Sequence, residues 1–275
     1  MNNVEVFLDT QKRIKKNRRL MHLTEQAVSG TRIYPEGYRS DNSPIKRGKI
    51  EFQENLTLIA ASRFSSKESK TAVLNFANPI EEGGGVLRGA NAQEEYLCRA
   101  SNLYNCLRSK NAADWYQVHN DMAGISIRDR FLATDSLIYS PNVTVFKKDV
   151  GYKPDADCSP MQKYTFKWMN VDVITCAAPL FVHRFCLLSD EVLKNIFISR
   201  IKNIFEAAID NGVDALILGA FGCGVFHNPP NVVADAFNDV LSIGRYATAF
   251  GNVVFAVKRT GPECGNINAF RARFT

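Results

Sequence analysis

The chain has 275 residues, 45% hydrophobic and 23% charged, the balance of a soluble globular protein with enough length to bury one large core or two small ones. No apolar run approaches the length that spans a bilayer. The net charge of +6 is partly local, because "KRIKKNRR", Lys12 to Arg19, holds six of the 34 basic residues; such a run is a solvated helix face or a surface that meets a polyanion.

The first residues, "MNNVEVFLDTQKRIKKNRRL", lack the charged-then-apolar order of a secretory signal, and the expectation is a cytoplasmic protein. Seven cysteines, at positions 98, 106, 158, 176, 186, 223 and 264, form no CxxC. His22, His119, His183 and His227 do not stand at metal-ligand spacing. The pattern predicts free thiols in a reducing compartment rather than disulfides or a zinc site.

In chain order, residues 9–29 read as one helix with Leu20, Leu23 and Ala27 apolar and Gly30 as its stop. "TRIYPEGYRSDNSPIKRG" is a turn-rich connection, and "KIEFQENLTLIAASRF" alternates like one strand or two short ones. "TAVLNFA" is a continuous apolar run of the kind found in a buried strand. Beyond "EEGGG", Leu97, Ala100, Tyr104 and Leu107 recur at helical spacing. "NVTVFKK" and "VDVITCAAP" read as further strands. Ser189 or Asp190 caps a helix with Leu193, Phe197, Ile201, Ile204 and Ala208 on one face, ended by Gly212. "DALIL" is a buried strand, Asn228 is the expected cap of a helix beginning at Pro229, and "NVVFAVK" is a last strand. Strands alternating with helices predict an α/β layer fold with a largely parallel sheet.

Ligands in such sheets sit at the carboxyl ends of strands, where loops enter helix N-termini. Two loops of this kind are glycine-rich: Gly83-Gly84-Gly85 after "VLNFAN", and Gly219, Gly222 and Gly224 after "DALIL". Glycine allows positive φ and close approach of a ligand to backbone N–H groups, which suits an anion; the plain alternative is a pair of tight turns. "GCGVFHN" lacks the third glycine of GxGxxG and no GK[ST] follows either loop, which weakens a dinucleotide or Walker-type reading. Glu94 and Glu95 open the next helix. Acidic residues there oppose the helix dipole favourably, and a carboxyl beside a bound sugar also suits glycosidic proton transfer. Adjacent helical residues stand about 100° apart, so one glutamate can face a cleft while the other is held elsewhere.

"GGGVLRGANAQEE" resembles the GGG-x(6–8)-QEE signature of the poly(ADP-ribose) glycohydrolases, with seven residues between its two parts. "LNFAN" and "LILGAFGCGVFHN" resemble companion segments of the microbial-type members, and "TRIYPEGY" resembles their accessory segment. The resemblance spans most of the chain. It implies a macrodomain, a three-layer α/β/α sandwich with a mixed central sheet, formed by residues 49–275 with residues 1–48 as an N-terminal helical extension. It makes Glu95 the catalytic glutamate, with Glu94 and Asn78 bonded to the ribose beside the scissile bond. Gly83, Gly84 and Gly85 would wrap that ribose and the diphosphate, and Gln93 would join the ADP-ribose-binding set. Gly219, Ala220, Gly222, Cys223, Gly224, Val225 and Phe226 would form the second diphosphate loop, with Phe226 near the distal ribose.

The implied reaction uses no metal or redox cofactor and hydrolyses ribose–ribose O-glycosidic bonds of poly(ADP-ribose), releasing ADP-ribose, in a monomer that meets no membrane. Alternatives are removal of single ADP-ribose units from protein or nucleic acid, and a non-catalytic ADP-ribose-binding macrodomain. A nucleic-acid module built on Lys12–Arg19 has no recognition-fold signature beside it. Two departures stand out. Glu81 and Glu82 precede the glycines and must point away from a diphosphate, and His227 occupies a position where glycine or a polar residue is usual. Tyr34, Tyr38 and Trp168 are candidates to stack adenine, with no motif to choose among them.

Overall fold

The apolar run "TAVLNF" forms the centre of the sheet in the computed structural model, which describes residues 2–64, 69–125, 131–147, 168–181, 188–259 and 264–275. The strands are β1 (Arg32–Tyr34), β2 (Lys49–Gln53), β3 (Thr71–Phe76), β4 (Leu137–Val145), β5 (Met169–Cys176), β6 (Ala215–Leu218) and β7 (Asn252–Ala256). They lie in the order β1-β4-β5-β3-β6-β7-β2. β3 is parallel to both β5 and β6, and β7 is parallel to β6 and β2, whereas β4 runs antiparallel to β1 and β5. The sheet is therefore mixed, with a parallel centre and an antiparallel edge. Cys158, Cys186 and His183 lie outside the described residues, and the other five cysteines are free thiols.

Alternation along each central strand divides the core in two. Ala72, Leu74, Leu216, Leu218, Val253 and Phe255 face a layer built from α7 (Asp190–Asp210), α8 (Pro230–Leu241), α9 (Gly244–Ala247) and α10 (Gly265–Phe274). Val73, Val171, Val173, Ile217 and Val254 face the other layer. That layer comprises α1 (Asn3–Lys16), α2 (Arg18–Gly30), α3 (Thr57–Ser62), α4 (Gln93–Ala100), α5 (Leu103–Leu107) and α6 (Lys110–Ile125). The N-terminal segment supplies two helices and also β1, which pairs with β4, so it enters the sheet as well as packing on it.

Four expected elements differ, the first being the helix through Leu97, Ala100, Tyr104 and Leu107, which is α4 and α5 separated at Ser101 and Asn102. The single helix over residues 9–29 is two helices broken at Asn17, whose extended backbone ends α1 and whose side chain accepts the Leu20 N–H at 3.0 Å as the cap of α2. "KIEFQENLTLIAASRF" is β2 followed by α3, because Thr57, Leu58, Ala60 and Ala61 are buried together at helical rather than alternating spacing. α8 begins one residue later than expected, with Pro229 as its cap residue. Asn228 instead donates its Nδ2 to the carbonyls of Pro179 at 2.7 Å and Gly222 at 2.9 Å, tying two loops together. α6, α10 and the first half of β4 carry no periodic pattern strong enough to predict them.

Candidate active site

β3 and β6 are parallel neighbours, so the loops that follow them leave the sheet at the same end. Between them opens a cavity of about 680 Å³. Its wall includes Asn78, Gln93, Glu94 and Glu95 from the first loop and α4, and Ala220, Gly222, Cys223, Gly224, Val225 and Phe226 from the second loop. Asn55, Leu56, Thr57, Lys258 and Asn266 line it further along. Gly83, Gly84, Gly85 and Gly219 are not among its lining residues. Gly219 is pinned where β6 ends, since a Cβ there would lie 2.7 Å from the Ala256 carbonyl oxygen.

Within the glycine triplet, Gly84 is the position that seats the carboxylates. Gly83 and Gly84 both adopt left-handed backbone, with φ of 69° and 59°, which a side chain disfavours. Space makes the same demand: a Cβ on Gly84 would lie 2.5 Å from Glu95 Oε1 and 3.0 Å from Glu94 Oε2. A Cβ on Gly83 would press into Tyr104 and Cys98. Both glutamate side chains thus converge on one point that only a glycine backbone leaves open.

Each carboxylate is held by two donors. Glu94 accepts the Asn75 side-chain amide at 3.1 Å and the Asn78 N–H at 2.8 Å. Glu95 accepts the Gly85 N–H at 2.8 Å and the Ala92 N–H at 3.0 Å, the latter at the N-terminus of its own helix. Both are buried, at 3% and 6% exposure. Burial pushes the Glu94 carboxyl up to about 8; the neighbouring charge of Glu95 adds to the rise, and the Asn78 and Asn75 hydrogen bonds oppose it.

Other expected residues take supporting places. Gln93 spends its amide on β3, accepting the Phe76 N–H at 2.9 Å and donating to the Leu74 carbonyl at 2.7 Å, so it locks the start of α4 onto the strand end. The Asn78 side-chain oxygen accepts the N–H groups of Ile80 and Glu81, which turns the chain toward the glycines. Glu81 is neutralised by the Arg88 guanidinium through both carboxylate oxygens, and Glu82 is exposed. His227 lies in left-handed backbone at φ 55°, the physical reason glycine suits that position.

None of the three adenine-stacking candidates lines the cavity. Tyr34 donates to Asp210 at 2.6 Å and meets Tyr38 edge-on, and Trp168 packs with Ile14, Leu20 and Phe146 beneath the Arg19 guanidinium. Asn75 is the site residue the sequence reading missed. Its signal is a polar side chain directly after the buried apolar run Ala72–Leu74, where an amide must find partners; it donates to Glu94 and also to Thr175 on β5.

The family description "Microbial-type PARG, catalytic domain" matches residues 4–148. The X-ray structure of poly(ADP-ribose) glycohydrolase (PARG) from Thermomonospora curvata is 31% identical, superposes with a TM-score of 0.82, and the match covers 99% of each chain. The same enzyme has been crystallised with the inhibitor ADP-HPD and as a glutamate-to-alanine mutant. PARG from Deinococcus radiodurans in complex with ADP-ribose is 31% identical with a TM-score of 0.73, over 91% of this chain and 96% of that one. No curated protein sequence matched. Among the described residues no helix is long and apolar enough to cross a membrane.

Proposed function

The chain belongs to the microbial-type PARG family, and from that premise we propose that it hydrolyses the ribose–ribose O-glycosidic bond of poly(ADP-ribose) and releases ADP-ribose, with Glu95 as general acid and base. The observation that supports this reading is the pair of buried carboxylates seated on Gly84 at the wall of a cavity between two glycine loops. Such a cavity is of the size that takes a nucleotide-like ligand.

In this mechanism the terminal ribose lies against Glu94 and Glu95. Glu94, pushed up to about 8, is protonated at neutral pH and can donate to a ribose hydroxyl. Closure of the cavity by substrate excludes water from the reacting bond. Glu95, as the general acid, gives a proton to the leaving oxygen as the glycosidic bond breaks. The carboxylate left behind is stabilised by the N–H groups of Gly85 and Ala92 and by the N-terminus of α4. It then takes a proton from the water that attacks the sugar, restoring the acid.

Purified protein incubated with poly(ADP-ribose) should release ADP-ribose, identified by mass. Release from mono-ADP-ribosylated protein alone would replace the polymer by single ADP-ribose targets. Binding of ADP-ribose with no hydrolysis of either substrate would reduce the protein to a reader.

A further inference from the structure

Arg99 stands one helical turn beyond Glu95 on the same face of α4 and is 2% exposed. A guanidinium inside the protein is costly unless acceptors meet its N–H groups. Here Nη1 donates to the Ala90 carbonyl at 2.8 Å and Nη2 to the Asn91 side-chain oxygen at 2.8 Å. Both acceptors belong to the loop joining the glycine triplet to α4. The Ala90 N–H in turn donates to the Gly85 carbonyl at 3.1 Å, and the Gly85 N–H donates to Glu95. The bonds close a ring from Glu95 down one turn of helix to Arg99, across to Ala90, and back through Gly85. The second donor to Glu95, the Ala92 N–H, follows Asn91 directly in the same loop.

We propose that Arg99 is a positioning residue for Glu95: its planar fork fixes the Gly85–Ala92 loop and thereby aims the two backbone N–H groups that hold the carboxylate. The proposal rests on Glu95 being the proton-transfer group. Two adjacent acceptors bridged by one rigid donor pair suit arginine and not lysine, whose ammonium is a single point. The same helix and loop are held from outside by α1. Thr10 donates to the Arg99 carbonyl, and Asn3 donates to the Gly89 carbonyl at 3.0 Å. These outer bonds touch neither donor of Glu95, so Thr10→Val is the structural control.

The test compares Arg99→Lys, Arg99→Met and Thr10→Val by amide hydrogen exchange at Gly85 and Ala92, by kcat and KM on poly(ADP-ribose), and by the thermal stabilisation that ADP-ribose confers. Both Arg99 variants should exchange those two amides faster and lose about 10–100-fold in kcat, as small misplacements of a reacting group do. ADP-ribose stabilisation should survive, and lysine should do less harm than methionine. Thr10→Val should lower stability while leaving kcat and both amides as in the parent. Unchanged exchange at Gly85 and Ala92 in the Arg99 variants, or variants that behave like Thr10→Val, would overturn the inference. If the Arg99 variants do not fold, Asn91→Ala removes one acceptor and spares the guanidinium, and unaltered Ala92 exchange there sinks the idea. If the parent protein proves inactive on the polymer, the functional reading fails, and amide exchange still decides the role of Arg99.

Discussion

Glu94 and Glu206 are both hidden from solvent, at 3% and 2% exposure, with Glu94 set the deeper in the protein, yet the molecule treats them in opposite ways. Glu206 on α7 meets the Arg245 fork, with Nε 2.8 Å from Oε1 and Nη2 2.6 Å from Oε2. It also accepts the Tyr246 hydroxyl at 2.9 Å and the Ser40 N–H at 3.0 Å. Burial alone would push Glu206 up, and these partners outweigh it, so its carboxyl sits below the ordinary range. Glu94 has neutral donors and a second carboxylate beside it, and it sits far above that range. A buried acid with a cation is an internal tie. A buried acid without one is a cost the fold carries, here beside the carboxylate proposed to transfer the proton.

Removing the proton from the unpaired side should have the largest effect. Glu95→Gln preserves shape and keeps one of the two loop hydrogen bonds, since its NH2 cannot accept from a backbone N–H, and it transfers no proton, so kcat should fall roughly 10²–10⁴-fold. ADP-ribose should stabilise this variant about as well as the parent. An active Glu95→Gln enzyme would refute the assignment. On the paired side, Arg245→Met strands Glu206 without its cation and should cost about 3 kcal/mol of stability. Turnover per folded molecule should be unchanged, because neither residue lines the cavity.

The two carboxylates also pull stability in opposite directions with pH. The folded-state value of Glu94 is raised from 4.5 to about 8, so the folded chain holds a proton that the unfolded chain has lost across that window. Its contribution is complete below the unfolded value and falls away as pH rises toward about 8. Glu206 is lowered, so its contribution is present above the unfolded value and is lost as acid protonates it. Glu94→Gln should therefore gain on the parent as pH rises from about 5 to 8, by on the order of a few kcal/mol. Denaturant unfolding at both ends of that range measures it. A constant difference between variant and parent would show that Glu94 is not a raised acid.

Much of this contrast was legible in the sequence on one side only. The first loop announced itself because chemistry there is local: three glycines, seven residues, then Gln93, Glu94 and Glu95 on one helix end. The strands that face helices on both sides read as apolar runs, and α7 carried its cap and its stripe openly. The Glu206 tie was illegible, since Arg245 lies 39 residues away and nothing in either neighbourhood marks the pair. Asn75 and Arg99 were hidden for a related reason. Each is a polar residue whose role depends on which backbone groups folding brings beside it. The break at Asn17 was obscured because both flanking helices bury apolar residues against the same layer, so the periodicity runs on across the cap.

The smallest effect on stability belongs to a glycine comparison across the cavity. Gly84→Ala must place a Cβ against Glu95 in left-handed backbone, costing about 1–2 kcal/mol for the backbone alone. Gly224 has ordinary φ and nothing within 4 Å of where a Cβ would stand. The protein itself gives no reason for glycine there, and Gly224→Ala should change stability by less than about 0.5 kcal/mol, with a small gain from the stiffer unfolded chain. Yet Gly224 lies on the cavity wall, where a ligand needs to approach backbone N–H groups closely. The thermal stabilisation conferred by ADP-ribose should therefore shrink in Gly224→Ala even though the unliganded protein melts as the parent does. Full retention of that stabilisation would mean that the second loop does not hold the diphosphate, and that its glycines serve the turn alone.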